Sequence, residues 1–182
     1  LKYENSEGNF LFILRHLSDR TKEVFDENGK ITRTLQKDET IQVSKKDRAR
    51  LVPGNKHKVQ IIKEIFDNYV TLGKGFKSIA HNLNERNVPT ARGPKWASIY
   101  SGKWNGSAVR SIIDNPLYSG DMVWNRRRDG KFHKISNGIA VDRIDVHGHR
   151  LVPNAREDWI IIRDAHEPLV VRRIFEAARQ RR

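Results

Sequence analysis

From residue 59 to residue 83 apolar side chains return at three- and four-residue steps, and glycines cut the pattern in two. Val59, Ile62, Ile65, Phe66, Tyr69 and Val70 fall on one helical face, with Lys63, Glu64 and Asp67 on the other. Gly73-Lys74-Gly75 closes this helix and opens a second, whose buried stripe is Phe76, Ile79, Ala80 and Leu83. Asn87 can take the left-handed conformation that ends a helix, and Pro89 prevents its continuation. A third helix is predicted over 107–114, capped by Asn105 or Ser107 and stopped by Asn115-Pro116, with Val109, Ile112 and Ile113 facing inward. A last helix follows His166-Glu167-Pro168, with Val171, Ile174, Phe175 and Ala178 at helical spacing and a basic end, Arg179-Gln180-Arg181-Arg182. Helices this short are marginal alone in water, so their apolar stripes must be buried against one another.

The remaining segments read as β structure. Phe10 to Leu14 fits a buried strand or the start of a helix. Val24-Phe25, Asp26-Glu27-Asn28-Gly29 and Ile31 read as a hairpin, because Asn-Gly supplies the positive φ of a tight turn. Thr40 to Val43 suggests a third strand, and Leu51-Val52-Pro53-Gly54-Asn55 marks a boundary. Further on, 121–126 reads as a strand whose hairpin tip is Asp129-Gly130 and whose return arm is 131–135. Short β segments fit 139–141 and 144–146, and Trp159 to Ile162 reads as a buried strand. The expected class is α+β: a helical, helix-turn-helix-like core with small antiparallel hairpins. The expected domains are a β-rich segment at 1–52 and a second unit at 53–182.

Charge narrows the function. Of 182 residues, 35 are Lys or Arg and 22 are Asp or Glu, a formal net charge of +13. Between residues 86 and 134 the bases are Arg86, Arg92, Lys95, Lys103, Arg110, Arg126, Arg127, Arg128, Lys131 and Lys134. The acids there are Asp114, Asp121 and Asp129, so this window supplies more than half of the surplus. A concentrated cationic surface points to a polyanionic partner, with nucleic acid first. The chain has no Cys, which excludes disulfides, Cys-ligated zinc and thiol nucleophiles. No apolar run approaches the length of a bilayer-spanning helix, so the expected location is the cytoplasm, without membrane contact. Because residue 1 is Leu, the chain is expected to be a processed product or an excised piece of a longer protein.

Catalytic constellations are not evident. There is no phosphate-cradling glycine loop and no Gly-x-Ser-x-Gly elbow. His147-x-His149 lacks a third metal ligand, and Asp164-x-His166 is most simply a turn before the last helix. His81 reads as a residue at the edge of the second helix's buried stripe. No catalytic residue, metal or cofactor is expected.

Binding chemistry is better supplied. The third helix would offer Asn105, Ser107, Arg110 and Ser111 to base edges, since Arg pairs with guanine and Asn or Ser with bases or phosphate. Arg92, Lys95 and Lys103 would meet phosphates or the minor groove, and Arg126, Arg127, Arg128, Lys131 and Lys134 would follow the backbone. The tryptophans, at 96, 104, 124 and 159, are expected in the core or as lids rather than as stacking platforms. The roughly twenty residues between the second and third helices far exceed the three- or four-residue turn of a helix-turn-helix.

The run Gly73-Lys74-Gly75-Phe76-Lys77-Ser78-Ile79-Ala80, then Leu83-Asn84-Glu85-Arg86-Asn87-Val88-Pro89, then Trp104, then Val109 to Gly120, and Trp124-Asn125 resembles the recombinase domain of large serine recombinases. These are the phage integrases and transposases of the resolvase/invertase superfamily. Trp159, His166-Glu167-Pro168 and Phe175 extend the resemblance, which covers about 51–176. It implies a double-stranded DNA-binding domain that grips part of an attachment half-site, between an N-terminal catalytic domain and a C-terminal zinc ribbon. The catalytic serine and the zinc cysteines would lie outside this chain. The fragment is then expected to be monomeric, and the parent a dimer or tetramer on DNA. Residues 1–50 depart from the family's usual Pro- and Gly-rich entry, Asn87 stands where Gly is usual, and Val171 stands where a capping Ser is common. The rival readings are a small homing-type nuclease and an RNA-binding basic module.

Overall fold

The computed structural model describes residues 1–17, 19–90, 102–128, 133–136, 139–142 and 152–182. Its first element is a five-stranded antiparallel sheet built from β1 (Lys2–Glu4), β2 (Phe10–His16), β3 (Lys22–Phe25), β4 (Ile31–Leu35) and β5 (Arg48–Arg50). The strand order is β4-β3-β2-β1-β5. Side chains alternate across such a sheet, so Tyr3, Phe12, Leu14, Val24 and Leu35 share one face. Leu14, Val24 and Leu35 are buried there, with Tyr3, Phe12 and Ile41 packed against them. The Asp26 carboxylate accepts from the backbone N–H groups of Asn28 and Lys30, and Gly29 holds φ +77°, which closes the β3–β4 turn. Phe10–Leu14 is therefore strand. Residues 40–43 are not: β1 takes β5 as its second partner instead.

The second part is helical. Here α1 (Lys56–Val70), α2 (Phe76–Glu85), α3 (Gly106–Ile113) and α4 (Arg172–Gln180) bury one core. Asn55 caps α1, its side chain accepting from His57 and Lys58 N–H. Ile65, Phe66, Ile79, Leu83, Val109, Ile113 and Ala178 are almost wholly removed from water. Phe66 lies centrally, its ring 6.3 Å from Tyr118 and 6.2 Å from Phe175. Asn87 has φ +54°, as the sequence predicts. Two expectations fail at this core. Val171 is 65% exposed, because it precedes α4 rather than belonging to its stripe. His81 is exposed and pairs with Glu85 one turn along, at 3.2 Å.

The C-terminal half also carries short ribbons. β6 (Met122–Trp124) pairs with β11 (Ile160–Ile162), and β7 (Arg127–Arg128) pairs with β10 (Val152–Pro153). β8 (His133–Ser136) pairs with β9 (Ile139–Asp142). The predicted 121–126/131–135 hairpin does not form. Asn125, at φ +57°, breaks the strand after Trp124, and the return arm pairs forward with β9. In the sequence, Asn137-Gly138 is a second tight-turn signal besides Asp129-Gly130. The 160–162 strand is exposed rather than buried, and among the described residues its ribbon has two strands. Residues 144–146 lie outside the described residues.

A polar joint ties α4 to the start of β6. Asp121, which is buried, receives both guanidinium nitrogens of Arg172 at 3.0 and 2.7 Å and the N–H of Asp164 at 3.2 Å. The hydrogen bonds from Arg172 hold the Asp121 carboxyl below its ordinary value of 3.8. A carboxyl depressed in the fold stabilises it above the unfolded value, and this contribution disappears as pH falls through the folded one. Asp121→Asn should therefore lose less stability than the parent between pH 5 and pH 3, measured by urea denaturation. Just before it, Gly120 has φ +93°, and a Cβ there would stand 2.9 Å from the His166 carbonyl oxygen. Only glycine fits that joint.

Candidate nucleic-acid interface

The third helix is held by groups that do not belong to it. Asn84, on α2, donates to the Trp104 carbonyl at 2.9 Å and accepts from the Trp104 N–H at 2.8 Å. The amide thus pairs with the backbone as a neighbouring strand would. The Trp104 indole is buried and donates to the Val88 carbonyl at 2.9 Å. One residue on, the Asn105 side chain accepts from Ala108 N–H at 2.8 Å and caps α3. Gly106 lets the first turn of α3 approach α2, since a Cβ there would meet Lys77 Cγ at 3.3 Å. With Val109, Ile112 and Ile113 buried, Ser107, Arg110 and Ser111 are left on the exposed face.

Lys103, Asn105, Ser107, Arg110 and Ser111 are thus gathered on and just ahead of one rigidly capped helix, all exposed. The Asn105 carbonyl oxygen serves the cap, which leaves its amide N–H groups as the donors available for a ligand. Arg110 leans toward the helix C-terminus, with Nε 3.5 Å from Asp114 Oδ2. Arg182 donates to the other oxygen of Asp114 at 2.9 Å, so one carboxylate faces two guanidiniums.

The second group of candidates does not share one hairpin: Arg127 and Arg128 stand on β7 and Lys134 on β8. Arg126 is exposed and lies over the Trp159 ring, 5.1 Å from its centroid, while Arg127 is exposed on β7. Arg128 completes β7, opposite Val152. The left-handed Asn125 orients this segment: its amide donates to the Asp158 carbonyl, and Asn154 donates to the Asn125 carbonyl, both at 2.8 Å. Lys134 stands on β8 and pairs in register with Val141, on a different ribbon from Arg126–Arg128. Arg92, Lys95, Lys131, Trp96, His147 and His149 lie outside the described residues. Of the other tryptophans, Trp104 is core and Trp159 half-buried. Trp124 is 58% exposed, contrary to expectation.

Several residues that build the site escape pattern reading. Asn84 looks like an ordinary polar helix residue; only its pairing with Trp104 reveals the clamp. Arg181 belongs by sequence to the end of α4, yet it donates to the Tyr69, Gly73 and Lys74 carbonyls and lies 4.3 Å from the Tyr69 ring centroid. It satisfies the Tyr69 carbonyl in the last turn of α1 and two carbonyls of the loop that follows. Among the described residues no group of three His, Cys, Asp or Glu side chains could hold a metal ion. Among them, too, no helix is long and apolar enough to cross a membrane.

A helical core that presents one capped helix with a polar and basic outer face, flanked by small β ribbons, defines an α+β module. The Recombinase family model matches residues 56–182, and the chain belongs to that family, the central domain of large serine recombinases. Its role is accordingly in DNA recombination, with DNA as partner. No curated protein and no solved structure matches the chain.

Proposed function

We propose that this chain is the double-stranded DNA-binding domain of a site-specific serine recombinase. It would recognise part of an attachment half-site and position a catalytic domain carried elsewhere in the parent protein. The observation that carries this reading is α3: capped by Asn105, clamped through Trp104 by Asn84, and turning Ser107, Arg110 and Ser111 outward. A helix fixed on its buried side and polar on its outer side is the element that enters a major groove. Residues 53–182 form the DNA-binding unit in this reading, and 1–52 an added β unit. The fragment acts as a monomer in the cytoplasm, and strand exchange belongs to the dimeric or tetrameric parent.

The test is selection of bound duplexes from a randomised pool, followed by affinity measurements on the selected and scrambled sites. Arg110→Ala should cost about 1–3 kcal/mol on the selected site and far less on the scrambled one if Arg110 reads a base. An equal loss on both sites would make it a phosphate contact. No enrichment of any sequence would refute half-site recognition. Cleavage of duplex DNA by this chain with Mg²⁺ or Mn²⁺ would favour a nuclease instead, and equal competition by structured RNA would favour an RNA-binding module.

A further inference from the structure

A second concentration of positive charge lies outside the site described above. Between residues 45 and 58 the chain carries Lys45, Lys46, Arg48, Arg50, Lys56 and Lys58, with Asp47 as the only acid. All six cations are exposed. Arg48 and Arg50 stand on β5, the edge of the sheet, opposite Glu4 and Lys2 and on the same face as they are. Glu4 pairs with Lys2 at 2.8 Å and with Arg50 at 3.4 Å. The Asp47 carboxylate accepts from the Ser44 N–H at 2.7 Å, closing the turn before β5. Lys45, Lys46, Arg48, Lys56 and Lys58 form no ion pair among the described residues.

Charges on an edge strand have a plain structural use, since they discourage pairing with another chain. That use does not extend to Lys56 and Lys58. They occupy the first turn of α1, which holds no acidic residue. A helix N-terminus carries partial positive charge and favours acids, so cations there work against the helix. A polyanion from outside would offset that cost. The six residues from Arg50 to Lys56 span at most about 20 Å of chain, about six base pairs of duplex rise at 3.4 Å each. Both groups of cations can therefore lie along one stretch of backbone.

We infer that residues 45–58 form a second DNA contact, a sequence-independent strip that grips phosphates beyond the base-reading helix. This rests on the proposal that the chain binds duplex DNA. Its chemistry is ammonium and guanidinium against phosphate, without base readout, and it joins the β unit to the first helix of the recombinase domain as one footprint.

The experiment compares the full chain with a variant in which Lys45, Lys46, Arg48, Lys56 and Lys58 are all changed to Gln. Arg50 is kept because it pairs with Glu4. Binding to a random-sequence 30-base-pair duplex is followed from 50 to 300 mM salt. Each lost phosphate contact should lower the slope of log affinity against log salt by about 0.9. The variant should therefore lose about two units or more of slope, with affinity at 100 mM salt reduced more than tenfold. Its thermal midpoint should stay level or rise, because the substitutions at 56 and 58 remove cations from a helix N-terminus. Steep salt dependence in the parent with an unchanged slope in the variant would overturn the strip and leave the duplex-binding proposal standing. A parent that does not bind duplex at all would overturn both.

Discussion

Affinity for duplex DNA should fall by about 10³ or more between 50 and 200 mM salt, the change expected when six or more phosphates are neutralised. The expectation follows from where the charge sits. The formal net charge of +13 is not spread evenly over the surface. Lys103 precedes the capped start of α3, Arg110 is exposed on its last turn, Arg126 and Arg127 are exposed at and before β7, and the 45–58 segment adds more. Each such cation releases condensed counterions when it meets a phosphate, and that release makes binding steep in salt. Replacing Arg126, Arg127 and Arg128 together by Gln should reduce the slope while leaving the ranking of DNA sequences nearly intact. Fluorescence anisotropy across the salt range reads both quantities. A flat response of the parent chain would refute binding through the backbone, and an unchanged slope in the triple variant would remove β7 from the contact.

The helices were legible because local and tertiary signals agree at their ends. Asn55, Gly73, Asn87 and Asn115-Pro116 stop or start the chain where the apolar stripes stop or start. The ribbons were not legible, because strand pairing is settled by turns that compete. In the sequence, Asp129-Gly130 and Asn137-Gly138 both carry tight-turn signals, and β8 pairs with β9 rather than with β6. Asn125 adds a left-handed kink that no alternation pattern reveals, which sends β6 to β11 and β7 to β10. The pairing of β1 with β5 spans more than forty residues and leaves no local mark. At the candidate site the outer face of α3 follows from periodicity alone. Its supports, Asn84 on Trp104 and Arg181 on the end of α1, do not, because one polar side chain looks like another until its partner is in place.

Phe66→Ala should be the most damaging single change to the helical core, at about 3–5 kcal/mol, the range for removing a buried aromatic ring. Phe66 is 1% exposed and central among the buried residues of the helices. Its ring meets Tyr118, just after α3, and Phe175, on α4. The cavity would therefore open between the elements that bracket α3, and neighbouring helices tied by Asn84, Arg172 and Arg181 could not all close on it together. Phe66→Leu, which keeps most of the volume, should cost clearly less. Urea denaturation followed by circular dichroism measures both. Since many domains hold only about 5–15 kcal/mol of stability, the Ala variant should also lose DNA affinity as temperature rises, in step with the unfolded fraction. Loss of affinity while the variant remains fully folded would instead mean that Phe66 sets the pose of α3 rather than the stability of the core. Equal stability of the Ala variant and the parent would show that the packing around Phe66 does not hold the four helices together.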